Sequence, residues 1–167
     1  APDVAAAMEK LSPAAVEWKL DGIRAQVHRD GTDVAVFSRS LDDITERVPA
    51  IVEAALALPV RSVVLDGEAI ALRDDGRPHA FQDTAGRGLA LQALYFDVLH
   101  LDGEDVLDEP GAARAERLDA VVPETQRVPR RTAEDAAGAA AVLDDALARG
   151  HEGVIVKSLD APYAAGR

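Results

Sequence analysis

The sequence contains no cysteine. Disulfide bonds, zinc sites built on thiolates and thiol-based catalysis are therefore excluded for these residues, and the absence suits a reducing compartment. No apolar run approaches the roughly 18–20 residues that span a bilayer, and no basic segment followed by an apolar one opens the sequence. We expect a soluble, cytoplasmic protein without a membrane partner.

Basic residues are also scarce, since 18 Lys and Arg stand against 30 Asp and Glu and give a formal net charge of −12. Non-specific affinity for nucleic acid comes largely from Lys and Arg that displace counterions from phosphates. The negative net charge therefore argues against this chain alone binding the phosphate backbone of a nucleic acid. A role on nucleic acid would need a local basic face or further domains.

Aromatic residues make up only 4% of the 167 residues, whereas 48% are hydrophobic. A chain of this length and apolar content can bury the core of one domain. Because the aromatic side chains are few, each is a candidate for either the core or a binding site. They are Trp18, Phe37, Phe81, Tyr95, Phe96 and Tyr163.

Helical spacing of apolar residues predicts four helices, at 3–11, 48–58, 112–121 and 133–149. We expect Thr132 to cap the last helix and Gly150 to follow its end. Between the helices, apolar residues predict strands at 16–20, 23–27, 34–38, 60–65, 68–72, 91–99, around Val128, and at 153–157.

The arrangement of these strands indicates the fold class. Asp30-Gly31 predicts a hairpin turn, and Asp66-Gly67 predicts a break between two strands. The continuous apolar run at 91–99 is typical of a strand covered on both faces. Hairpins with inserted helices, without strict βαβ alternation, favour a single α+β domain over residues 1–167, with largely antiparallel sheets flanked by helices.

A lysine lies in the segment Glu17-Trp18-Lys19-Leu20-Asp21-Gly22-Ile23-Arg24, at the end of a predicted strand and before an Asp-Gly turn. Such a lysine can be a nucleophile if its amine is partly desolvated or lies beside other cations. The same pattern is more often a surface lysine paired with an acid. The motif by itself therefore leaves both readings open.

Three further segments also place a charged or aromatic residue at the end of an apolar strand. They are Leu65-Asp66-Gly67-Glu68, Tyr95-Phe96-Asp97-Val98 and Glu152-Gly153-Val154-Ile155-Val156-Lys157, with Phe37-Ser38-Arg39 preceding them. In this order the segments resemble the adenylation domain of bacterial ATP-dependent DNA ligases, within the covalent nucleotidyltransferase family that includes RNA ligases and mRNA-capping enzymes. The resemblance runs from about Val16 to Gly166.

The resemblance implies the nucleotidyltransferase fold of DNA ligase adenylation domains, which is ATP-grasp-like. It implies that Lys19 attacks the α-phosphate of ATP, releases pyrophosphate and forms a lysyl-AMP intermediate. The full enzyme would use this AMP to seal 5′-phosphate nicks in DNA, during repair, replication or recombination. The isolated fragment is expected to be a monomer with weak or no activity.

The resemblance also implies roles for the residues around Lys19. Glu17 would read the adenine amino group, Arg24 would lie near the ribose, and Arg39 toward the ribose and phosphate. A guanidinium suits both positions because its fork binds oxygens bidentately.

The same resemblance implies that Phe96 stacks on the base, with Ile155 as the other wall of the slot. Lys157 ends this motif and is expected to contact the nucleotide. Glu152 and Glu68 would hold Mg²⁺, a hard cation that takes oxygen ligands, and Glu68 would also lie by the ribose.

The family continues into a Lys-x-Lys segment and an OB-fold domain, which the 167 residues do not contain. We therefore expect a fragment, and the connection from Gly88 to Leu91 looks shorter than is usual for the family. Two alternatives remain open. One is an RNA-ligating or capping nucleotidyltransferase, and the other is a catalytically incomplete module that only binds nucleotide or a partner protein.

Overall fold

The computed structural model describes residues 4–11, 13–71 and 91–164. Its helices are α1 (Val4–Leu11), α2 (Pro49–Leu56), α3 (Gly111–Val121) and α4 (Ala136–Ala148). Its strands are β1 (Ala14–Lys19), β2 (Ile23–Asp30), β3 (Asp33–Phe37), β4 (Ser62–Ile70), β5 (Gln92–Leu101), β6 (Glu104–Asp105), β7 (Arg130–Ala133) and β8 (Gly153–Ser158). No helix among the described residues is both long and apolar enough to cross a membrane.

The larger sheet has five strands in the order β3-β2-β4-β5-β6, and its strand pairs are antiparallel. The predicted hairpin is confirmed, because Asp30 pairs with Asp33 and Gly31 takes the positive φ of 62° that the turn requires. Helices α2 and α3 cover one face through Ile51 and Leu118, which belong to the main core.

Strand β5 is buried on both of its faces, as its continuous apolar run predicts. Tyr95 is 1% exposed and lies in the main core, whereas Leu94 is 9% exposed and belongs to a separate cluster with Leu20, Ile70 and Val128. Consecutive residues of a strand point to opposite faces, so both faces carry buried side chains.

The predicted break at Asp66-Gly67 is wrong, because β4 runs through both residues as one strand. The register against β5 instead shifts between Asp66 and Gly67, which is the mark of a β-bulge. A Cβ on Gly67 would lie 2.5 Å from the Leu94 carbonyl oxygen. The glycine therefore marks a close backbone approach inside the sheet and not a turn.

The smaller sheet has three strands in the order β7-β1-β8, again with antiparallel pairs. Helices α1 and α4 pack against it through Met8, Val16, Ala139 and Val142. Strand β1 is central, and its register places Glu17 opposite Ile155 and Lys19 opposite Gly153. The antiparallel sheets flanked by helices confirm the predicted α+β class.

Two predictions in the C-terminal half are wrong. The edge strand is Arg130–Ala133, whereas Val128 is buried before it and donates its backbone N–H to the Tyr95 carbonyl. Thr132 lies within that strand, so Asp135 caps the following helix and accepts a hydrogen bond from the Gly138 N–H at 2.8 Å.

The remaining helix predictions agree with the structure to within a few residues, and Gly150 follows α4 with a φ of 86°, as expected. Phe81, most of the expected Gly88 to Leu91 connection and the end of the 68–72 strand lie outside the described residues.

Candidate active site

A cavity of about 580 Å³ is lined by residues of both sheets. Strands β1 and β8 contribute Glu17, Ile155 and Lys157, and β2 and β5 contribute Arg24 and Phe96. Helix α3, strand β7 and residues 158–164 also contribute to the wall. The structure thus brings five of the predicted site residues to one cavity.

Glu17 lies on the β1 wall of this cavity and is 4% exposed. The β1–β8 register places Glu17 opposite Ile155 and Ala15 opposite Lys157, so these side chains share one face. Lys157 Nζ lies 2.6 Å from Glu17 Oε1. Burial raises the pKa of Glu17, and the nearby Lys157 ammonium opposes that rise.

Phe96 faces the cavity, whereas its neighbour Tyr95 points into the core, as strand alternation predicts. The ring lies close to two cations: Lys157 Nζ is 4.4 Å from its centroid and Arg24 Cζ is 5.2 Å from it. Cations favour the electron-rich face of an aromatic ring. Ile155, which is 40% exposed, lines the same cavity.

Arg24 is engaged in an ion pair with Asp66, which has no exposed surface. Arg24 Nε donates to Asp66 Oδ1 at 2.7 Å, and Nη2 donates to Oδ2. This hydrogen bonding holds the pKa of Arg24 above its ordinary value. Asp66 also accepts a hydrogen bond from the Tyr163 hydroxyl at 2.7 Å.

Lys19 ends β1 and forms an ion pair with Glu152, with 3.1 Å between Nζ and Oε1. The two side chains are 50% and 47% exposed. The Glu152 backbone N–H donates to the Lys19 carbonyl at 3.2 Å, which fixes the two residues side by side. Neither is among the described residues that line the cavity.

Glu68 lies opposite Arg24 in the β2–β4 pair and accepts a hydrogen bond from the Gly22 N–H at 3.0 Å. Burial raises the pKa of Glu68 to about 7, and the Gly22 N–H and Arg24 oppose that rise. A Cβ on Gly22 would lie 2.4 Å from the Ala69 carbonyl oxygen. The glycine after Asp21 therefore lets the chain approach β4 closely enough to bond Glu68.

Arg39 is exposed and lies in the loop after β3. Its loop is held by hydrogen bonds between Ser38 and Asp42. Within residues 4–11, 13–71 and 91–164, the Arg39 guanidinium makes no hydrogen bond or ion pair. The structure therefore does not bring Arg39 into contact with the other predicted site residues.

Metal ligands are sparse around the cavity. In the described part of the chain, no group of three or more His, Asp or Glu side chains could enclose a metal ion. Glu152 nonetheless offers a half-exposed carboxylate beside Lys19. Mg²⁺ is commonly bound through one or two carboxylates, with water and substrate phosphates as its other ligands, so this donor set fits that ion.

Sequence reasoning missed two buried ion pairs at the site. Asp66 with Arg24 is one, and Asp97 with Arg114 is the other, with Arg114 Nε donating to Asp97 Oδ1 at 2.9 Å. The sequence did offer a signal, since both aspartates follow apolar strand residues and a carboxylate in such a position is buried only when it has a partner. The identity of that partner could not be read from spacing along the chain.

The whole chain, residues 1–167, matches the family described as ATP dependent DNA ligase domain. It is 55% identical to a probable DNA ligase of Sorangium cellulosum over 179 residues, which cover 100% of this chain and 34% of that protein. It is 54% identical to a probable DNA ligase of an Anaeromyxobacter species, covering 96% of this chain and 33% of that protein. The chain thus spans about a third of the length of these relatives.

The fold is also similar to solved ligase structures. The ligase domain of LigD from M. tuberculosis matches with a TM-score of 0.76 and 32% identity, covering 95% of this chain and 54% of that one. A mycobacterial DNA ligase D complexed with ATP and MES matches with a TM-score of 0.77 and 31% identity, covering 99% and 54%. Because these proteins are named as DNA ligases, the RNA-ligating and capping alternatives are not favoured. The chain belongs to the family of ATP-dependent DNA ligase domains.

Proposed function

We propose that Lys19 is the nucleophile of this domain and that the full-length protein seals 5′-phosphate nicks in DNA. The observation that carries the proposal is the placement of Lys19 two residues beyond Glu17 on β1. Glu17 is buried in the wall of a cavity that also presents Phe96, and Lys19 lies at the end of the same strand. A nucleotide whose base enters the cavity would direct its phosphates toward the end of β1.

The base would bind between Phe96 and Ile155, which line the cavity together. A cavity of about 580 Å³ lies within the size range of small-molecule sites, which is roughly 300–1,000 Å³. Glu17 offers a carboxylate that accepts the hydrogen bonds of an adenine amino group. Lys157 Nζ holds that carboxylate in the described structure, so it would give up this position when adenine binds.

Arg24 and Glu68 lie opposite each other on β2 and β4 and would face the ribose. Arg24 is already oriented by Asp66, so little side-chain entropy remains to be lost when a nucleotide binds. Arg39, which is exposed and unpaired among the described residues, is a cation available for the phosphates.

For the chemical step, the Lys19 ammonium must give one proton to solvent before its Nζ attacks the α-phosphorus, and the nitrogen gives a second proton to solvent once the N–P bond has formed. The new N–P bond replaces the bond from that phosphorus to the bridging oxygen, and pyrophosphate leaves with the bond's electron pair. Glu152 forms an ion pair with the Lys19 ammonium, with 3.1 Å between Oε1 and Nζ, and so orients the lysine. Glu152 and Glu68 would hold Mg²⁺, which would neutralise negative charge on the departing pyrophosphate.

The full-length protein is proposed to bind nicked DNA through regions other than this acidic chain, whose net charge is −12. This chain covers about a third of the length of its relatives. We propose that the full-length protein also contains the Lys-x-Lys segment and the OB-fold domain of the family. We further propose that residues 1–167 form one adenylation domain, and that the protein is a cytoplasmic monomer.

The test is covalent labelling of the full-length parent with α-labelled ATP and Mg²⁺. We expect label on the wild type and on Lys10→Ala, a control that removes an exposed lysine of α1, and none on Lys19→Ala. Unlabelled ATP should compete with the label better than GTP. Label that survives Lys19→Ala would reject the nucleophile, and stronger competition by GTP would favour a capping-type enzyme.

A further inference from the structure

The segment 159–164 crosses from the end of β8 to the five-stranded sheet and forms part of the cavity wall. Three hydrogen bonds fix its course. The Ala112 N–H donates to the Leu159 carbonyl at 2.8 Å, Arg114 Nη1 donates to the Ala161 carbonyl at 3.1 Å, and the Tyr163 N–H donates to the Leu107 carbonyl at 2.8 Å. These hydrogen bonds therefore fix the position of the Tyr163 backbone.

The Tyr163 side chain reaches a carboxylate that has no contact with solvent. Its hydroxyl donates to Asp66 Oδ2 at 2.7 Å and accepts a hydrogen bond from Arg24 Nη2 at 3.4 Å. Asp66 is 0% exposed. Among the described residues, the Asp66 side chain accepts two hydrogen bonds from Arg24 and one from Tyr163, so the hydroxyl supplies its third hydrogen bond.

We infer that Tyr163 is a positioning residue for the nucleotide site, because its hydroxyl fixes the Arg24 guanidinium beside Phe96, both directly and through the Asp66 carboxylate. The inference rests on the proposed function. Without the hydroxyl, Asp66 keeps its ion pair but can rotate about its side-chain bonds, and Arg24 can follow it. The guanidinium would then occupy several orientations, and ordering it would cost part of the nucleotide's binding energy.

The tyrosine is suited to this role over a wide pH range. Burial and the hydrogen bond to Asp66 raise the pKa of Tyr163 to about 12, so the hydroxyl keeps its proton and remains a donor at neutral pH. Because the hydroxyl orients Arg24, which lines the cavity, we expect its loss to lower the ATP affinity about tenfold, which corresponds to about 1.4 kcal/mol.

The chain offers a matched control in its other tyrosine. The Tyr95 hydroxyl is buried and has no hydrogen-bond partner among the described residues. Tyr95→Phe and Tyr163→Phe both remove one hydroxyl and keep the ring, but only the second variant removes a contact to Asp66. A difference between them therefore reports the contact rather than the loss of a hydroxyl.

The experiment measures single-turnover self-adenylation of the full-length parent at increasing ATP concentration. We expect Tyr163→Phe to raise the ATP concentration for half-maximal rate about tenfold and to change the maximal rate less than about twofold. Tyr95→Phe should match the wild type. In an Arg24→Lys background, which lacks the bidentate fork, Tyr163→Phe should change the affinity by less than about twofold.

An unchanged ATP dependence in Tyr163→Phe, with the wild type labelled, would overturn the inference alone. An equal loss in the wild-type and Arg24→Lys backgrounds would do the same, because the hydroxyl would then act independently of Arg24. Thermal melting of each variant is measured alongside, and an affinity loss that disappears after correction for unfolded protein also overturns the inference. A wild type that takes no label would overturn the proposed function, and the inference with it.

Discussion

The ion pair between Asp97 and Arg114 offers a quantitative test of what stabilises the cavity wall. Asp97 follows Phe96 directly on β5. Arg114 is 7% exposed and Asp97 is 8% exposed. Arg114 Nε and Nη2 donate to the two Asp97 oxygens at 2.9 and 3.3 Å. Nη1 donates to the carbonyls of Glu109 and Ala161 at 2.6 and 3.1 Å.

The perturbation is Arg114→Met, which keeps an unbranched apolar stem and removes the guanidinium. Asp97 would keep the hydrogen bond from the Val98 N–H at 2.9 Å and would otherwise be a buried charge without its cation. Removing one partner of a buried ion pair costs about 3–5 kcal/mol. We expect a loss of this size, because the two carbonyls also lose a donor while Val98 retains part of the stabilisation of Asp97.

The assay is hydrogen exchange of the full-length parent, read on peptides from α3 and β5 as the local free energy of opening. Arg117→Met is the matched control on the same helix. The Arg117 side chain is 35% exposed and pairs with Glu109 and Glu104, so its loss should change the opening free energy little.

The double variant Arg114→Met with Asp97→Asn tests the electrostatic reasoning, because it removes both charges. We expect it to be more stable than Arg114→Met alone, by at least about 1 kcal/mol. Two results would refute the conclusion that the buried Asp97 charge depends on Arg114. One is a loss of opening free energy below about 1 kcal/mol in Arg114→Met, and the other is a double variant that is less stable than Arg114→Met.

Three further predictions concern the cavity and the strand beside it. Phe96→Ala should weaken ATP binding in calorimetry by about 1–3 kcal/mol, the range for losing an aromatic stacked on a base, and unchanged binding would contradict the stacking role. Gly67→Ala should lower the melting temperature, because its Cβ would lie 2.5 Å from the Leu94 oxygen; an unchanged melting temperature would contradict the close backbone approach at Gly67. The pKa of Glu68 is about 7 in the folded protein and 4.5 ordinarily, so the folded state binds more protons between these values. The free energy of unfolding of the metal-free protein should therefore fall as the pH rises from about 4.5 to 7. Glu68→Gln should reduce this slope, and an equal slope would contradict the assignment.

Local pattern predicted the parts of the fold that depend on neighbouring residues. The Asp30-Gly31 pair predicted the hairpin correctly, and the continuous apolar run at 91–99 predicted a strand buried on both faces. The spacing of the Lys19 motif also predicted a lysine at a strand end. Each of these features is decided within a few residues of the chain.

Features that depend on distant contacts could not be predicted from spacing. Tyr163 and Asp66 are 97 positions apart and meet only because two sheets enclose the same cavity. Asp66-Gly67 has the composition of a turn, yet pairing on both sides keeps it within a strand. The cap of α4 was misassigned for a similar reason, since pairing with β1 extends β7 as far as Ala133.

The proposed roles of Arg24 and Arg39 illustrate the same limit. Their expected contacts with the nucleotide stay predictions, and the structure adds that Arg24 forms an ion pair with a buried carboxylate and that Arg39 lies on an exposed loop. Sequence predicts which residue types suit phosphate and ribose. Their orientation before a nucleotide binds depends on partners elsewhere in the chain.

The most direct test of the central claim is to locate the AMP adduct. The full-length parent is incubated with ATP and Mg²⁺ and then digested, and the peptides are analysed by mass spectrometry. The account predicts AMP on Lys19, and its removal when pyrophosphate is added, because the N–P bond formed at Lys19 is the one that pyrophosphate would cleave. AMP on a different residue, or a wild type that carries none, would contradict it.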